Sequence, residues 1–135
     1  YQGEKMSKSL GNLVLVRDVL RDHTADALRL YLLSNHYRES FEYQDDGPAR
    51  FEPLADLLRR AVRVPGGSGP ALDVADTHRA FIDAIGDDLD TPTGIQVLRE
   101  MAEQLISAAE AGRDVTDARE MLRQAAGILG LQGTR

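Results

Sequence analysis

The sequence contains no cysteine and no tryptophan, only three histidines, and no long run of apolar residues. Without cysteine the chain can form neither a disulfide nor a thiolate metal site. His23, His36 and His78 are too few to suggest a histidine-based metal site, so we predict no bound metal. No apolar run approaches the roughly 20 residues that a membrane-spanning helix requires, so membrane insertion is not expected.

Basic residues are also in the minority, with 16 Lys and Arg against 22 Asp and Glu and a net charge of −6. Proteins that bind nucleic acids in general gain affinity from many Lys and Arg side chains, so this balance argues against a general nucleic-acid binder. The net charge is still compatible with a local basic surface that binds one specific nucleic acid. The chain begins at Tyr1 with neither an initiator Met nor a signal-peptide pattern, and we expect a fragment of a longer cytoplasmic protein.

The spacing of apolar residues predicts a mainly α-helical fold in two parts. Residues 1–44 are expected to form a short mixed α/β segment, and residues 45–135 an antiparallel helical bundle. In the first part, the apolar run at 13–16 suggests a short strand or a turn, and the alternation at 39–44 suggests another strand. Between them, Thr24 is a good N-cap for a helix that continues to about residue 35.

The second part contains four helical patterns, at about 45–64, 74–86, 91–112 and 116–130. Pro48 suits the first turn of its helix, whereas Pro53 is expected to kink it. Asp90 or Thr91 is the predicted N-cap of the third helix. The segment VPGGSGP at 64–70 predicts a flexible connection, and it lacks the Gly-Lys-Ser/Thr ending of a phosphate-binding P-loop.

The most specific motif is KMSKS, which comprises Lys5, Met6, Ser7, Lys8 and Ser9. Lysine ammonium groups on a mobile loop can neutralise the charge that develops on a polyphosphate when a phosphoryl or adenylyl bond breaks. Composition alone favours a solvated, lysine-bearing surface loop. The match at consecutive positions, with Gly-Glu before it and Leu-Gly-Asn after it, favours a phosphate-binding role.

With this motif the sequence resembles the C-terminal part of class I aminoacyl-tRNA synthetases, in which KMSKS is the second signature of the ATP site. The tetrad at 26–29, Asp-Ala-Leu-Arg, is similar to the one that gives the DALR helical domain its name. The spacing of HYR at 36–38 and of DDLDTP at 87–92 looks like the cysteinyl branch. The resemblance covers residues 3 to about 131.

The resemblance implies that Lys5 and Lys8 stabilise the triphosphate of ATP, which enters with Mg²⁺ as a substrate, while Met6, Ser7 and Ser9 shape the loop. It further implies that the first ATP signature and the zinc ligands belong to an N-terminal catalytic domain absent from these residues, which would be the chain's partner. The fragment alone is then expected to be inactive. tRNA is the second implied partner.

Four further groups of residues each allow two interpretations. The aspartates at 87, 88 and 90 suit helix capping better than metal binding, and His36 suits a hydrogen-bonded role better than general-base catalysis. Asp26 and Arg29, three residues apart on a helix, can form an ion pair there, and their tetrad suits a structural role better than a catalytic one. Six arginines suit either a tRNA-facing surface or ordinary solvated helix faces: Arg17, Arg21, Arg38, Arg59, Arg60 and Arg63.

Two alternatives to a tRNA synthetase remain open at this point. The related ligase that joins cysteine to a glucosaminyl-inositol acceptor in mycothiol synthesis shares the adenylation half and a similar DLDTP turn. The other alternative is a non-catalytic helical module that docks tRNA or a protein.

Overall fold

The computed structural model describes residues 16–36 and 40–135, which contain six helices and two short strands. The mainly helical prediction is therefore confirmed. The expected strand or turn at 13–16 lies outside the described residues except for Val16, which begins a helix. In chain order the elements are α1 (Val16–Asp22), α2 (Ala25–Leu33), α3 (Gly47–Ala61), β1 (Gly69–Ala71), α4 (Ala75–Gly86), α5 (Thr91–Glu110), β2 (Arg113–Asp114) and α6 (Thr116–Ile128).

Helix α5 is the centre of the core. Its apolar residues recur every three or four positions, so one face of the helix is buried along its whole length. Leu98, Met101 and Leu105 have no exposed surface, and α5 contacts α2, α3, α4 and α6. Helix α3 runs unbroken through Pro53, which is exposed.

The core continues from α3 to α2, since Ala27 and Leu30 belong to the same buried cluster as Leu54 and Leu58. It therefore extends across the boundary that the sequence suggested between residues 44 and 45. The division into domains at that point stays a prediction.

The glycine-rich connection is more ordered than the sequence suggested. Part of it forms β1, which pairs in parallel with β2, with Gly69 opposite Arg113. The amide of Gly67 donates to the carbonyl of Arg113 at 2.9 Å, and that of Gly69 to the carbonyl of Gly112 at 2.9 Å. A Cβ atom at position 67 would collide with the backbone of Gly112, so glycine permits this close approach.

The strand predicted at 39–44 was wrong for the described residues 40–44, which form no strand. Their alternation reflects an aromatic cluster instead. The ring of Tyr31 on α2 lies 5.4 Å from Phe41 and 5.5 Å from Tyr43 in edge-to-face geometry. Its hydroxyl accepts the amide N–H of Gln44 at 2.7 Å, so a side chain satisfies a backbone donor that a strand would have paired with another strand.

Candidate functional site

The predicted ATP-loop residues Lys5, Met6, Ser7, Lys8 and Ser9 lie outside the described residues, as does Arg38. Arg17 and Arg21 are exposed on α1, a helix with no buried residue. Arg21 donates to Asp18 at 3.0 Å. An exposed pair of this kind contributes little to stability, so the Arg21 guanidinium is available to a stronger anionic partner.

Helix α2 links the other sequence motifs. At its start, the hydroxyl of Thr24 accepts the amide N–H of Ala27 at 3.1 Å, as predicted for an N-cap. The amide of Thr24 itself donates to the carboxylate of Glu52 on α3 at 2.7 Å. At its other end, the carbonyl of Leu33 accepts the hydroxyl of Thr91, the first residue of α5, at 2.6 Å. Helix α2 is thus tied by hydrogen bonds to both α3 and α5.

The DALR tetrad has different partners from those that its spacing suggested. Both oxygens of the Asp26 carboxylate accept backbone N–H groups, one from Gln132 at 2.8 Å and one from Gly133 at 2.7 Å. Arg29 lies against Gly130 and donates to the carbonyl of Leu129 at 3.5 Å. The Asp26–Arg29 ion pair that the spacing allows is therefore replaced by contacts of both side chains with the segment that follows α6. Sequence spacing could not reveal partners that lie 100 or more residues away.

The DDLDTP turn caps a helix. Asp90 is the N-cap of α5, and its carboxylate accepts the amide N–H of Thr93 at 3.2 Å and the Thr93 hydroxyl at 2.6 Å. The hydroxyl and then the amide of Thr93 hold the pKa of Asp90 below its ordinary value. Asp88 and Leu89 adopt left-handed backbone conformations, with φ of 56° and 53°, which makes the turn sharp.

His36 lies beside this turn, with Nε2 3.9 Å from Oδ2 of Asp88. The two residues lie between the end of α2 and the start of α5, and the hydrogen-bonded role of His36 stays a prediction. Across residues 16–36 and 40–135, no group of three or more His, Asp or Glu side chains is placed to hold a metal ion. Within the same residues, no helix is both long and apolar enough to cross a membrane.

The arginines at the end of α3 divide into two sets. Arg59 and Arg60 share the carboxylate of Asp56, at 3.7 and 3.0 Å, and are partly exposed. Arg63 instead donates to the carbonyl of Gly133 at 2.8 Å. These three side chains line a groove of about 460 Å³ over Val64 and Ile106, together with Glu110.

A second groove, of about 420 Å³, lies between α1, α2 and residues 130–132. Its apolar lining includes Val16, Leu20 and Leu32, whose side chains are 62%, 43% and 46% exposed.

Two separate parts of the chain match models of known protein families. Residues 1–50 match the family model of the class I (C) tRNA synthetase catalytic domain, and residues 80–132 match that of the DALR domain. The first part of the chain is thus similar to the catalytic domain of class I tRNA synthetases, and the last part is similar to a DALR domain. Helix α2 lies in the first match, and α5 and α6 lie in the second.

Over most of its length, the chain is also similar to proteins named cysteine–tRNA ligase. It is 38% identical over 131 residues to that of Alkalilimnicola ehrlichii and 36% identical over 129 residues to that of Histophilus somni. It is also 36% identical over 131 residues to the ligase of Salmonella paratyphi B. Each alignment covers 95% of this chain and 28% of the relative, so the chain spans just over a quarter of the length of these ligases.

Proposed function

We propose that this chain is a C-terminal part of a ligase that attaches cysteine to its tRNA, with ATP consumed to form cysteinyl adenylate as the intermediate. The observation that carries the proposal is the similarity to cysteine–tRNA ligases over 95% of the chain. The order of the two family matches, catalytic domain and then DALR domain, supports it. The proposal includes an antiparallel arrangement of α3 to α6 and a cytoplasmic location.

In this proposal Lys5 and Lys8 stabilise the triphosphate of ATP, which enters as its Mg²⁺ complex. Adenylate formation moves negative charge onto the departing pyrophosphate, and an ammonium placed beside that charge lowers the barrier. Met6, Ser7 and Ser9 shape the loop around the triphosphate. The chain has 16 Lys and Arg residues, of which these two are the only lysines. Zinc, where the complete enzyme needs it, is held by residues outside this chain.

The tRNA-facing part of the proposal assigns phosphate contacts to Arg17, Arg21 and Arg38. Arg17 and Arg21 are exposed on α1, and the weak pairing of Arg21 with Asp18 allows exchange of the carboxylate for a phosphate. Replacement of a phosphate-contacting arginine is expected to weaken tRNA binding and to reduce its salt dependence. Adenylate formation should be unaffected.

The test uses the protein expressed from the complete reading frame that encodes this chain. Cysteine-dependent exchange of pyrophosphate into ATP measures adenylate formation, and transfer of cysteine to tRNA measures the second step. If exchange occurs, tRNA is not charged and glucosaminyl-inositol is consumed, the mycothiol-type ligase becomes the better hypothesis than the tRNA ligase. Absence of cysteine-dependent exchange would leave only a non-catalytic docking module.

The role of Lys8 is tested in the same protein. Lys8→Ala should lower the exchange rate at least tenfold, roughly the effect of losing one charge-stabilising contact in the transition state. Arg79→Ala is the matched control, because Arg79 is an exposed cation that, within residues 16–36 and 40–135, pairs only with its helical neighbour Asp76. An unchanged rate for Lys8→Ala would remove Lys8 from the ATP site.

Chemical labelling gives an independent measurement on the same two residues. Because Lys5 and Lys8 are the only lysines among residues 1–135, an amine-reactive reagent modifies this part of the complete protein at these two side chains alone. In the complete protein, ATP with Mg²⁺ should slow acylation of the peptide that contains them. Equal labelling with and without ATP would contradict the proposed contact.

A further inference from the structure

The segment that follows α6, residues 129–135, is held by side chains from three other parts of the fold. Asp26 and Arg29 reach it from α2, Arg63 reaches it from just beyond α3, and Arg123 reaches it from α6. Leu131 and Thr134 within it are each 2% exposed. This segment is therefore part of the packed structure, although it contains no helix or strand.

Asp26 forms the most specific of these contacts. Each of its carboxylate oxygens accepts one backbone N–H, at 2.8 and 2.7 Å, and the residue is only 8% exposed. Hydrogen bonds to an ionised carboxylate are stronger than neutral ones, and the paired geometry fixes both the position and the direction of the bound backbone. Thr24 already caps α2, so Asp26 is not needed by its own helix and can serve the distant segment.

The bound segment is matched to these side chains by its glycines. A Cβ atom at position 133 would lie 2.8 Å from Oδ2 of Asp26, which would push the carboxylate away from the amide that it binds. Gly130 has a φ of +78°, and a Cβ there would lie 3.1 Å from the guanidinium carbon of Arg29. Both positions need glycine for the contacts with α2 to form.

Two further arginines bind the carbonyls of the same segment. Arg63 donates to the carbonyl of Gly133 at 2.8 Å. Arg123 donates from Nε to the carbonyl of Thr134 at 3.2 Å and from Nη2 to the carbonyl of Val62 at 3.0 Å. The Asp26 carboxylate thus accepts two N–H groups of the segment, while Arg63 and Arg123 donate to its carbonyls.

From these contacts we infer that Asp26 is a positioning residue that couples the catalytic-domain part of the enzyme to its DALR part. Helix α2 lies in the catalytic-domain match, and residues 129–132 end the DALR match. The contact of Asp26 with Gln132 joins these parts directly across 106 residues of sequence, and its contact with Gly133 holds the residue that follows the DALR match. The inference rests on the proposed function, since it concerns the reaction in which both parts must act on one tRNA.

The two steps of that reaction depend differently on this coupling. Adenylate formation brings together ATP and cysteine within the catalytic domain, and the position of the helical part does not enter it. Transfer to tRNA requires a large substrate held by both parts to reach the adenylate, and a displacement of about 1 Å between groups that must react costs on the order of a hundredfold in rate. Loss of the Asp26 contacts should therefore affect transfer and leave adenylate formation intact.

The experiment compares Asp26→Asn with wild type in the complete ligase. An asparagine places an NH₂ group against one of the two backbone donors, so at least one hydrogen bond is lost. We expect kcat/KM for tRNA charging to fall about tenfold or more, with ATP–pyrophosphate exchange within about twofold of wild type. Hydrogen exchange at the amides of Gln132 and Gly133 should accelerate about tenfold in the same variant.

Asp56→Asn is the matched control, since Asp56 is an exposed helical aspartate whose partners are the neighbouring Arg59 and Arg60. It should change neither activity nor the exchange of these two amides. Gly133→Ala is the second variant and covers the case in which Asp26→Asn does not fold. It keeps the carboxylate and displaces the backbone from it, so the same split between the two activities is expected.

Three results would overturn the inference. If charging by Asp26→Asn equals that of wild type, the contact does not position anything that the reaction needs. If charging and pyrophosphate exchange fall by the same factor, Asp26 serves folding alone. If wild-type enzyme shows no cysteine-dependent exchange, the proposed function itself is wrong and the coupling inference falls with it. That result differs from the first two, in which wild type is active.

Discussion

Gly47→Ala tests how α2 and α3 pack together. Gly47 is the buried first residue of α3, and the ring of Tyr31 occupies the space where a Cβ atom would be. A methyl group at this position would overlap the ring atoms Cζ, Cε1 and Cε2 of Tyr31. The ring is confined by Tyr43, Phe41 and the amide of Gln44, so it cannot turn aside without losing other contacts.

The expected cost follows from three contributions. Overpacking of a buried site costs about 1–3 kcal/mol, and loss of the hydrogen bond between the Tyr31 hydroxyl and the Gln44 amide adds about 1 kcal/mol. The better helix propensity of alanine offsets about 1 kcal/mol of this. The net loss is about 2 kcal/mol in the free energy of unfolding, or about 7 °C in Tm for a chain of this size.

The assay is thermal and urea unfolding, followed by far-ultraviolet circular dichroism. Gly127→Ala is the matched control, because Gly127 is a helical glycine of α6 with open space at its Cβ position. It should raise stability by about 0.5–1 kcal/mol, so the two Gly→Ala changes have opposite signs. In a Tyr31→Ala background the cost of Gly47→Ala should disappear. A Gly47→Ala variant as stable as wild type would refute the packing argument.

Further predictions concern the caps and the strand pair. Thr24→Val should cost about 1–2 kcal/mol in urea unfolding, because it removes the N-cap hydroxyl; an unchanged midpoint would contradict the capping role. Gly67→Ala should cost about 2 kcal/mol, because its methyl would meet the backbone of Gly112, and faster amide exchange in β1 would locate the damage. Asp90→Ala should be less stable than wild type at neutral pH, and the difference should narrow as the pH falls below 3.8. Hydrogen bonds from Thr93 lower the pKa of Asp90 in the folded state, so its contribution is present above the unfolded pKa and is lost on protonation. A difference that is independent of pH would contradict this.

The helices of the second half could be predicted because each buries one face. Ile95, Leu98, Ala102 and Leu105 follow the helical period, and all four are buried. Asp90 was identifiable as a cap for a local reason, since its partner is three residues away. Period and capping are both short-range signals, and short-range signals can be read from one sequence.

The elements that sequence reasoning missed depend on distant partners or on little burial. Helix α1 buries no residue and is only 7 residues long, so the helical spacing of Val16, Val19 and Leu20 is too short a pattern to predict it. Strand β1 pairs with residues more than forty positions away and consists of Gly, Pro and Ala, which have low strand propensity. The alternation at 40–44 suggested a strand, but Tyr43 is buried by an aromatic cluster that includes Tyr31. Pattern alone does not distinguish these two causes of alternation.

The DALR tetrad also depends on distant partners that its local spacing does not reveal. Asp26 and Arg29 have a spacing that allows a local ion pair, and a local pair would make the tetrad a feature of one helix. Their contacts with residues 129–133 make it a feature of the whole fold, since the carboxylate binds backbone that only folding brings near. A local ion pair needs only opposite charge, whereas the observed contacts also need glycine at 130 and 133. A substitution at either glycine should therefore disturb α2 as much as a substitution in the tetrad itself. The tetrad contacts thus connect α2, in the catalytic-domain match, to the end of the DALR match.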